Sequence, residues 1–523
     1  MYSKKDLKNL KNRNLSKKDI ELQLENFQKG FGYVKLSAYA AVGKGIKKLS
    51  GEEEERFIKI YDENTENTDV VKMVPASGSA TRMFKMLLSF FKEYDGSQES
   101  YLDFIQNKDS ESAFAFFKSL RQYPFYAKLA DCIWQNGMSL ESLIAKKEFT
   151  AVLSYLLTEK GLNYGDMPKG LIDFHVYQDF VRTAFDEHIV EGCLYAGNKN
   201  TANIHFTVPE RHMRLFEKRL SKFKKVAENL YKKKVNISFS VQKTETDTIS
   251  VYEDGKIVRD ENGDIVFRPG GHGALLYNLN DMDEKIIFIK NIDNVVPDRS
   301  KAVTVRYKKI IGGMLMELKE KIDTYLEELS RRNTDEKKIA EIRKFVNTET
   351  GLKIREYPEF KNPAEEKKFL KAALNRPVRI CGMVENSGEP GGGPFWVEDE
   401  AGNSRLMIIE SAQVDHKDKQ QEKIFRESTH FNPVDIVCCI RDYKGKKFDL
   451  GKFVDDSQGF ISTKSYNGAT VKCQELPGLW NGSMAGWITV FVEVPESTFA
   501  PVKTVSDLLR FEHRNVISNH KIR

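Results

Sequence analysis

The chain has 523 residues, 40% of them hydrophobic and 30% charged, so it can bury a large core, and its length favours about three domains. The net charge of +6 is a mild excess, and no basic block carries interleaved aromatic residues, so nucleic-acid binding is not predicted. No stretch approaches the roughly 18 apolar residues of a membrane span, and the charged N-terminus lacks the apolar run of a secretory signal. The six cysteines are scattered without paired metal spacing. We therefore expect a cytoplasmic protein with reduced thiols and no membrane partner.

The first part of the chain is predicted to be helical. Residues 1–69 form an N-terminal helical segment, interrupted by a glycine-containing link, GFGYVKLSAYAAVGKG, at 30–45. The following residues, VVKMV at 70–74, have the composition of a short buried strand, and MFKMLL at 83–88 carries the apolar face of a helix.

Later segments alternate between helix and strand. Residues 97–190 are mostly helical by their apolar period, and from residue 201 strands alternate with helices. Residues 315–375 return to charged helix, and 378–410 and 434–500 return to strand. This alternation predicts an α/β fold, in which ligands bind beyond the carboxyl ends of the strands.

Small residues connect the first predicted strand to its helix. A turn of this kind lets backbone approach a ligand closely, and the unpaired N–H groups of a helix start favour an anion. An ordinary strand-to-helix loop with a Ser or Thr cap is the alternative. The residues concerned are Ala76, Ser77, Gly78, Ser79, Ala80 and Thr81.

Four stretches together resemble one enzyme family. VPASGSATRMFK, at 74–85, is similar to the loop with which sugar nucleotidyltransferases wrap a nucleoside triphosphate. FRPGGHGALLYNL at 267–279, followed by KIIFIKNIDNV, resembles the Pro-Gly-His-Gly turn and the Asn-x-Asp-Asn strand end of UDP-sugar pyrophosphorylases. TFAPVKTVSDLL at 498–509 resembles the late Pro-Val-Lys-Thr segment of that family, and LMIIESAQ at 406–413 more weakly its sugar-contacting strand. The whole chain most resembles an uncharacterised bacterial family, labelled only as a domain of unknown function, which is a distant branch of this group.

The resemblance implies a fold and a domain organisation. The fold is a Rossmann-like nucleotidyltransferase (GT-A type) mixed sheet flanked by helices, with a helical N-terminal segment and a helical insertion. Because the phosphate loop and the late lysine must meet, residues 70–510 are expected to form one α/β domain. Within it, residues 95–190 would be a helical insertion and 301–375 a helical insertion on the substrate side, and residues 511–523 would form a C-terminal tail.

The resemblance also implies a reaction. A sugar 1-phosphate oxygen displaces pyrophosphate from the α-phosphorus of a nucleoside triphosphate, and the product is a nucleotide-sugar. The protein must align two polyanions and neutralise their charge. Arg82 and Lys85, expected on the helix after the loop, would hold the triphosphate, and Lys503 the sugar phosphate. Asp293 would hold Mg²⁺; a turn cap is the competing interpretation.

Other ligand contacts follow from the same resemblance. Gln242, at the end of a predicted strand, would contact the nucleobase, although an exposed strand-end glutamine is equally typical. The glycine turn would bind the nucleotide through Gly271, His272 and Gly273, against the alternatives of a helix cap or a core histidine. The expected sugar contacts are Glu410 and Asn432. In the first loop Ala76 and Ala80 stand where the family has glycines, which raises the question of whether a positive φ is needed there.

Two other classes of function remain open. A glycosyltransferase with a nucleotide-sugar donor could share the fold and the metal-binding aspartate, but it would not need Arg82, Lys85 and Lys503 together, since it processes no free triphosphate. A non-catalytic nucleotide-binding protein is the third possibility, because the first loop has only one glycine, Gly78.

Overall fold

The computed structural model describes residues 2–386, 388 and 391–514, so residues 515–523 of the predicted tail lie outside the described residues. The helices of this part of the chain begin with α1, and many start at a Ser, Thr, Asp or Asn whose side chain accepts a hydrogen bond from the first turn. The helices are α1 Lys4–Asn12, α2 Lys17–Lys29, α3 Gly51–Asn64, α4 Lys85–Glu93, α5 Gln98–Gln106, α6 Ala113–Ser119, α7 Tyr126–Gln135, α8 Leu140–Ala145, α9 Phe149–Leu157, α10 Ala184–Tyr195, α11 Met213–Tyr231, α12 Leu275–Asp281, α13 Lys301–Ser330, α14 Glu336–Glu349, α15 Pro363–Leu374 and α16 Lys419–Arg426.

The strands are distributed along most of the described chain. They are β1 Leu36–Tyr39, β2 Ala41–Val42, β3 Gly45–Lys47, β4 Val70–Pro75, β5 Asp173–Val176, β6 Val181–Thr183, β7 Thr201–Thr207, β8 Lys234–Ser240, β9 Asp247–Val251, β10 Phe267–Pro269, β11 Ile286–Ile289, β12 Leu352–Lys353, β13 Val378–Glu385, β14 Gly393–Glu398, β15 Ser404–Ile409, β16 His430–Cys439, β17 Phe460–Tyr466, β18 Ala469–Glu475 and β19 Ile488–Glu493.

Two compact units account for the described chain, and each is built from three separate segments. Unit 1 contains the residues up to Val71, then 240–289 and 307–496. Unit 2 contains residues 72–239, 290–306 and those from Ser497 onward. The domain boundaries expected from the sequence, at 69/70 and 510/511, stay a prediction.

Unit 2 places the small-residue loop at the end of a parallel strand pair. Residues 72–75 of β4 pair in parallel with β7, and β8 lies on the other side of β7. Helix α10 lies so close to β7 that a Cβ atom on Gly192 would come within 2.5 Å of Ile204 Cγ1. A large apolar cluster joins these elements to the helices α4 to α9 and to residues 502–508. The loop after β4 therefore starts from a buried and well-packed strand.

Unit 1 contains three sheets. In the largest, the strands follow the order β2-β3-β19-β13-β16-β11, with β13 parallel to β19 and antiparallel to β16. The second sheet has the order β1-β14-β15-β12 and the third β10-β9-β18-β17. The expected α/β class, a large mixed sheet flanked by helices, is confirmed.

Residues 30–45 were predicted to be a link between helices. This prediction is wrong, because three short strands lie in or beside this segment. Strand β1 pairs with β14 about 360 residues later, and β3 pairs in parallel with β19. These strands depend on distant partners, so their local sequence gave little periodic signal. The prediction that residues 97–190 are mostly helical is confirmed by α5 to α10. The antiparallel pair of β5 and β6 within this segment was not predicted.

In the described part of the chain, every helix is too short or too polar to traverse a lipid bilayer.

Candidate functional site

The loop after β4 is an open turn with unused amide donors. The backbone N–H groups of Ser77, Gly78 and Ser79 find no acceptor among the described residues, whereas Ala76 donates to Thr207 O at 2.8 Å and Ala80 to Met167 O at 3.0 Å. None of these residues has a positive φ. The alanines at the family's glycine positions therefore fit this backbone, and three successive free donors remain to bind an anion.

Arg82 and Lys85 follow this loop in the chain, and both are exposed. The expectation that both stand on one helix is wrong. Residues Ala80–Arg82 form a 3-10 turn, and α4 begins only at Lys85. Phe84, fully buried, separates the two elements with φ −101° and ψ 13°, because its ring packs into the aromatic cluster of unit 2.

A second segment fixes the loop from the side. Lys169 donates its backbone N–H to Gly78 O at 3.1 Å, and Thr81 donates its hydroxyl to Gly165 O at 3.1 Å. The same segment delivers the side chain of Lys169, whose Nζ lies 2.9 Å from Asp293 Oδ2. The sequence analysis did not identify Lys169.

Asp293 is a buried carboxylate shared by two lysines. It lies in the turn four residues after the end of β11, and only 8% of the residue is exposed. Its Oδ2 atom accepts hydrogen bonds from Lys169 at 2.9 Å and from Lys503 at 3.0 Å, whereas Oδ1 is buried without a partner. Burial alone would raise the pKa of Asp293, but the two ammonium groups outweigh it and lower the pKa, so the carboxylate is ionised.

Lys503 reaches Asp293 from a strap of chain, residues 500–507, that is bonded to both other segments. Val502 donates its backbone N–H to Asp293 O at 3.1 Å, and Val505 donates to Met83 O at 3.1 Å, directly after Arg82. The strap that carries Lys503 is therefore hydrogen-bonded to the turn that directly follows the small-residue loop, and the phosphate-binding role of Lys503 stays a prediction.

Asp507 holds this strap in shape. Its Oδ2 atom accepts from the backbone N–H groups of Lys503 and Thr504, both at 2.7 Å. Asp507 therefore fixes the backbone of Lys503 while leaving its side chain, which is 50% exposed, able to move.

The acidic groups at this site fit a magnesium ion only in part. No group of three or more His, Cys, Asp or Glu side chains capable of holding a metal occurs in the described part of the chain. Mg²⁺, however, is commonly bound by one or two carboxylates together with substrate phosphates and water. The unpartnered, buried Oδ1 of Asp293 fits the role of that single protein ligand.

A buried histidine pair connects the end of the strap to α10. His175 Nδ1 lies 2.9 Å from Glu187 Oε1, and His175 Nε2 lies 2.9 Å from His513 Nδ1. The other oxygen of Glu187 pairs with Lys301 and, at 3.4 Å, with Arg182. Burial, with the nearby His175 and Arg510, lowers the pKa of His513 to about 3, and burial also lowers the pKa of His175.

Because the pKa values of both histidines are lowered in the folded protein, we expect its free energy of unfolding to fall in acid. The unfolded chain takes up their protons below about pH 6.5, whereas folded His513 resists protonation until about pH 3, so the free energy of unfolding falls over this interval. The slope is at most about 1.4 kcal/mol per pH unit for each proton. We expect His513→Gln to show a shallower decline in Tm than wild type between pH 7 and pH 4. An unchanged pH profile would remove His513 from this effect.

The predicted base and sugar contacts outside the small-residue loop lie in unit 1, where two of them, His272 and Glu410, form a group with Trp480. The ring of His272 stacks on Trp480 with 4.2 Å between centroids, and its Nε2 lies 3.9 Å from Glu410 Oε1. Leu479 donates its backbone N–H to His272 Nδ1 at 3.0 Å, so the neutral ring carries its proton on Nε2. Burial lowers the pKa of His272, which favours that neutral form. The side chain can therefore donate one hydrogen bond.

The glycines of this turn are required by protein contacts. Gly271 has φ +79°, and a Cβ atom there would come within 2.8 Å of Glu475 Oε2. A Cβ atom on Gly273 would come within 2.1 Å of Pro477 O. Close packing against residues 475–477 therefore explains both glycines, and their predicted nucleotide contact stays a prediction.

Gln242 and Asn432 differ in how fully they are engaged. Gln242 follows β8 and donates only a long hydrogen bond, 3.4 Å, to Thr246 Oγ1. Asn432 is 5% exposed, and its Oδ1 accepts from the backbone N–H of Val434, a residue held at φ +58°. The Nδ2 atom of Asn432 is buried without a partner, so this side chain retains an unused donor.

Buried amide side chains connect the loop of Trp480 to Asp455. Asn481 donates to Gln413 Oε1 at 2.9 Å, Gln413 donates to Gln458 Oε1 at 2.8 Å, and Gln458 donates to Asp455 Oδ2 at 2.8 Å. The backbone N–H of Glu410 also donates to Gln413 Oε1. We refer to Asn481, Gln413, Gln458 and Asp455 as the amide chain.

Comparison with solved structures finds proteins of similar structure whose sequences are only 12% identical to this chain. The uridine diphosphate N-acetylglucosamine pyrophosphorylase from Trypanosoma brucei is similar over 94% of this chain and 74% of that protein, with 12% identity and a TM-score of 0.45. A mutant UDP-glucose pyrophosphorylase from Leishmania major is similar over 96% and 77%, with 12% identity and a TM-score of 0.44. Both TM-scores lie below 0.5.

Matching of the sequence itself identifies the family. No curated protein matches the chain. One family profile matches residues 3–514, almost the full length, as the sequence analysis expected. The chain belongs to the DUF4301 family, described as a domain of unknown function.

Proposed function

We propose that this protein is a nucleotidyltransferase of the Rossmann-like (GT-A) type, which joins a nucleoside triphosphate and a sugar 1-phosphate and releases pyrophosphate. One observation carries the proposal. Three segments that resemble pyrophosphorylase motifs are hydrogen-bonded to one another in unit 2 and bring Lys503 to Asp293, which also binds Lys169 from a fourth segment that is bonded to Gly78 of the small-residue loop.

The charges of this group suit a polyphosphate. Asp293 and Asp507 supply two negative charges, Lys169 and Lys503 supply two positive charges, and the exposed Arg82 and Lys85 of the adjoining segment add two more. Backbone N–H donors and ammonium groups are the partners that phosphate oxygens prefer. Without a ligand, Asp293 serves as the counter-ion of both lysines, and a bound phosphate would take over that role.

Each residue then has a defined task. Arg82 and Lys85 hold the triphosphate and stabilise the pyrophosphate that leaves, Lys503 and Lys169 neutralise the approaching phosphates, and the loop amides orient them in line. We propose that Asp293 holds Mg²⁺ through Oδ1. The ion, when bound, supplies charge stabilisation between phosphate oxygens.

The direct test is a panel of nucleoside triphosphates and sugar 1-phosphates with Mg²⁺, scored for pyrophosphate release. Formation of a nucleotide-sugar supports the proposal. If the protein binds a nucleotide-sugar but no triphosphate, and makes no triphosphate from pyrophosphate, the glycosyltransferase interpretation replaces it. Binding of both without turnover in any combination would favour the non-catalytic alternative.

Lys85→Ala should lower kcat about a hundredfold while weakening nucleoside-diphosphate binding less, because its contact strengthens as charge develops on the leaving oxygen. Arg82→Ala should act mainly by raising the KM for the triphosphate. The measurement is steady-state kinetics with both substrates varied. Lys92→Ala, an exposed lysine later on α4, is the matched control and should leave both constants unchanged. Equal effects of Lys85→Ala and Lys92→Ala would contradict this role.

A further inference from the structure

Unit 1 contains a pocket of about 460 Å³ that none of the predicted site residues lines. It lies beside the end of α15, the start of β15 and the backbone of Ala485 and Gly486. Three basic side chains line it, those of Arg376, Arg405 and Lys452. A pocket of this volume is large enough for a small metabolite.

Arg376 pairs with no carboxylate of the described residues. Its Nε donates to Ala372 O at 2.9 Å and its NH1 donates to Gly486 O at 3.4 Å. Burial, together with the neighbouring Arg405, lowers the pKa of Arg376. Arg376 and Arg405 both line the pocket, and neither is hydrogen-bonded to a carboxylate of the described residues, although Asp455, which also lines the pocket, lies 3.8 Å from Arg405. Two guanidinium groups that share a pocket in this way can bind an anion together.

Arg405 is likewise incompletely paired. Its Nε is buried without an acceptor, and its nearest carboxylate oxygen, Asp455 Oδ2, lies 3.8 Å from NH2. That oxygen already accepts from Gln458 at 2.8 Å, and the other oxygen of Asp455 accepts from the hydroxyl of Ser457 at 2.6 Å. At 3.8 Å Asp455 accepts no hydrogen bond from Arg405, so the donors of Arg405 stay available to a ligand.

From this geometry we propose that the pocket binds a phosphomonoester of a small hydroxylated molecule. One guanidinium group can donate two parallel hydrogen bonds to a phosphate. Lys452, which is 77% exposed at the rim of the pocket, adds a mobile positive charge. Asp456, also at the pocket, is exposed and pairs with no described side chain, so it can accept hydrogen bonds from ligand hydroxyls. The site is separate from Lys169, Asp293 and Lys503, which belong to unit 2.

The test is hydrogen–deuterium exchange of the full chain with inorganic phosphate or glycerol 1-phosphate as the probe. We expect slower exchange at residues 450–458 and 484–487, whose backbone lines or adjoins the pocket. Arg405→Gln should raise the Kd for the phosphomonoester about tenfold or more, because a hydrogen bond between charged groups is lost. Lys452→Gln, which removes a side chain with only a 3.7 Å ion pair to Asp449, should fold normally and weaken binding by less.

Arg332→Gln is the matched control, since this exposed arginine of unit 1 lies outside the pocket and should bind as wild type does. No protection at 450–458 with up to about 10 mM of either probe would overturn the proposal. Protection confined to residues 76–85 and 500–507 would overturn it too, while supporting the phosphate site of the proposed function. Protection at 450–458 that persists in both Arg405→Gln and Lys452→Gln would equally contradict it.

Discussion

Asp293→Asn is expected to lower the kcat of nucleotide-sugar formation by about a thousandfold or more. The substitution preserves the shape of the side chain but removes its negative charge. That charge holds Lys169 and Lys503 at Oδ2, and in the proposed mechanism it attracts Mg²⁺ to the unpartnered Oδ1. The measurement is pyrophosphate release against Mg²⁺ concentration. Wild type should lose activity with a chelator and regain it with Mg²⁺, whereas excess Mg²⁺ should not rescue the variant.

A matched control for this variant exists in the same unit. Asp173 is also a buried carboxylate bonded to one lysine, Lys128, at 3.3 Å, and to the hydroxyl of Tyr164 at 2.8 Å. Asp173→Asn should reduce Tm to a similar degree while leaving kcat near that of wild type. Normal turnover in Asp293→Asn, or an equal loss in Asp173→Asn, would remove Asp293 from the mechanism.

Lys503→Ala is the second substitution with a large expected effect, again about a thousandfold in kcat. The hydrogen bond to Asp507 fixes the backbone of Lys503, whereas its half-exposed ammonium group can leave Asp293 and reach a phosphate. Stopped-flow binding and steady-state kinetics should show the loss mainly in turnover, because the interaction grows as phosphate charge shifts in the transition state.

Lys128→Ala is the matched control for Lys503→Ala. The Lys128 side chain is 54% exposed, similar to that of Lys503, and it is likewise paired with a buried carboxylate, Asp173. This variant should behave as wild type in turnover. In the proposed mechanism Lys503 and Asp293 act on the same phosphates, so combining Lys503→Ala with Asp293→Asn should cost much less than the product of the two separate losses. Fully multiplicative losses would mean that the two residues act independently, contrary to the shared hydrogen bond.

The motifs could be predicted from the sequence because each resembles a short, ordered string of the UDP-sugar pyrophosphorylase family. The loop at 76–81, Asp293 and Lys503 were all identified in this way, and the structure brings them together. Lys169 was missed because nothing in its local sequence distinguishes it from the other lysines. Only the fold, which bonds its backbone to Gly78, directs it at Asp293.

Long-range pairing explains the other omissions. His175 and His513 are 338 residues apart, so no spacing in the sequence links them. Strand β1 was missed for the same reason, since its partner β14 lies far along the chain. The division between Arg82 and Lys85 also depends on tertiary packing, because the burial of Phe84 decides where the α-helix begins.

The amide chain has a direction that its two ends impose. A carboxylate can only accept, so Asp455 obliges Gln458 to present its NH₂ group, and the backbone N–H of Glu410 obliges Gln413 to present its oxygen. With both ends fixed, each amide has one permitted orientation, and none can flip unless its neighbours flip as well. Asn481, beside Trp480, is therefore held in a single orientation by a negative charge three hydrogen bonds away.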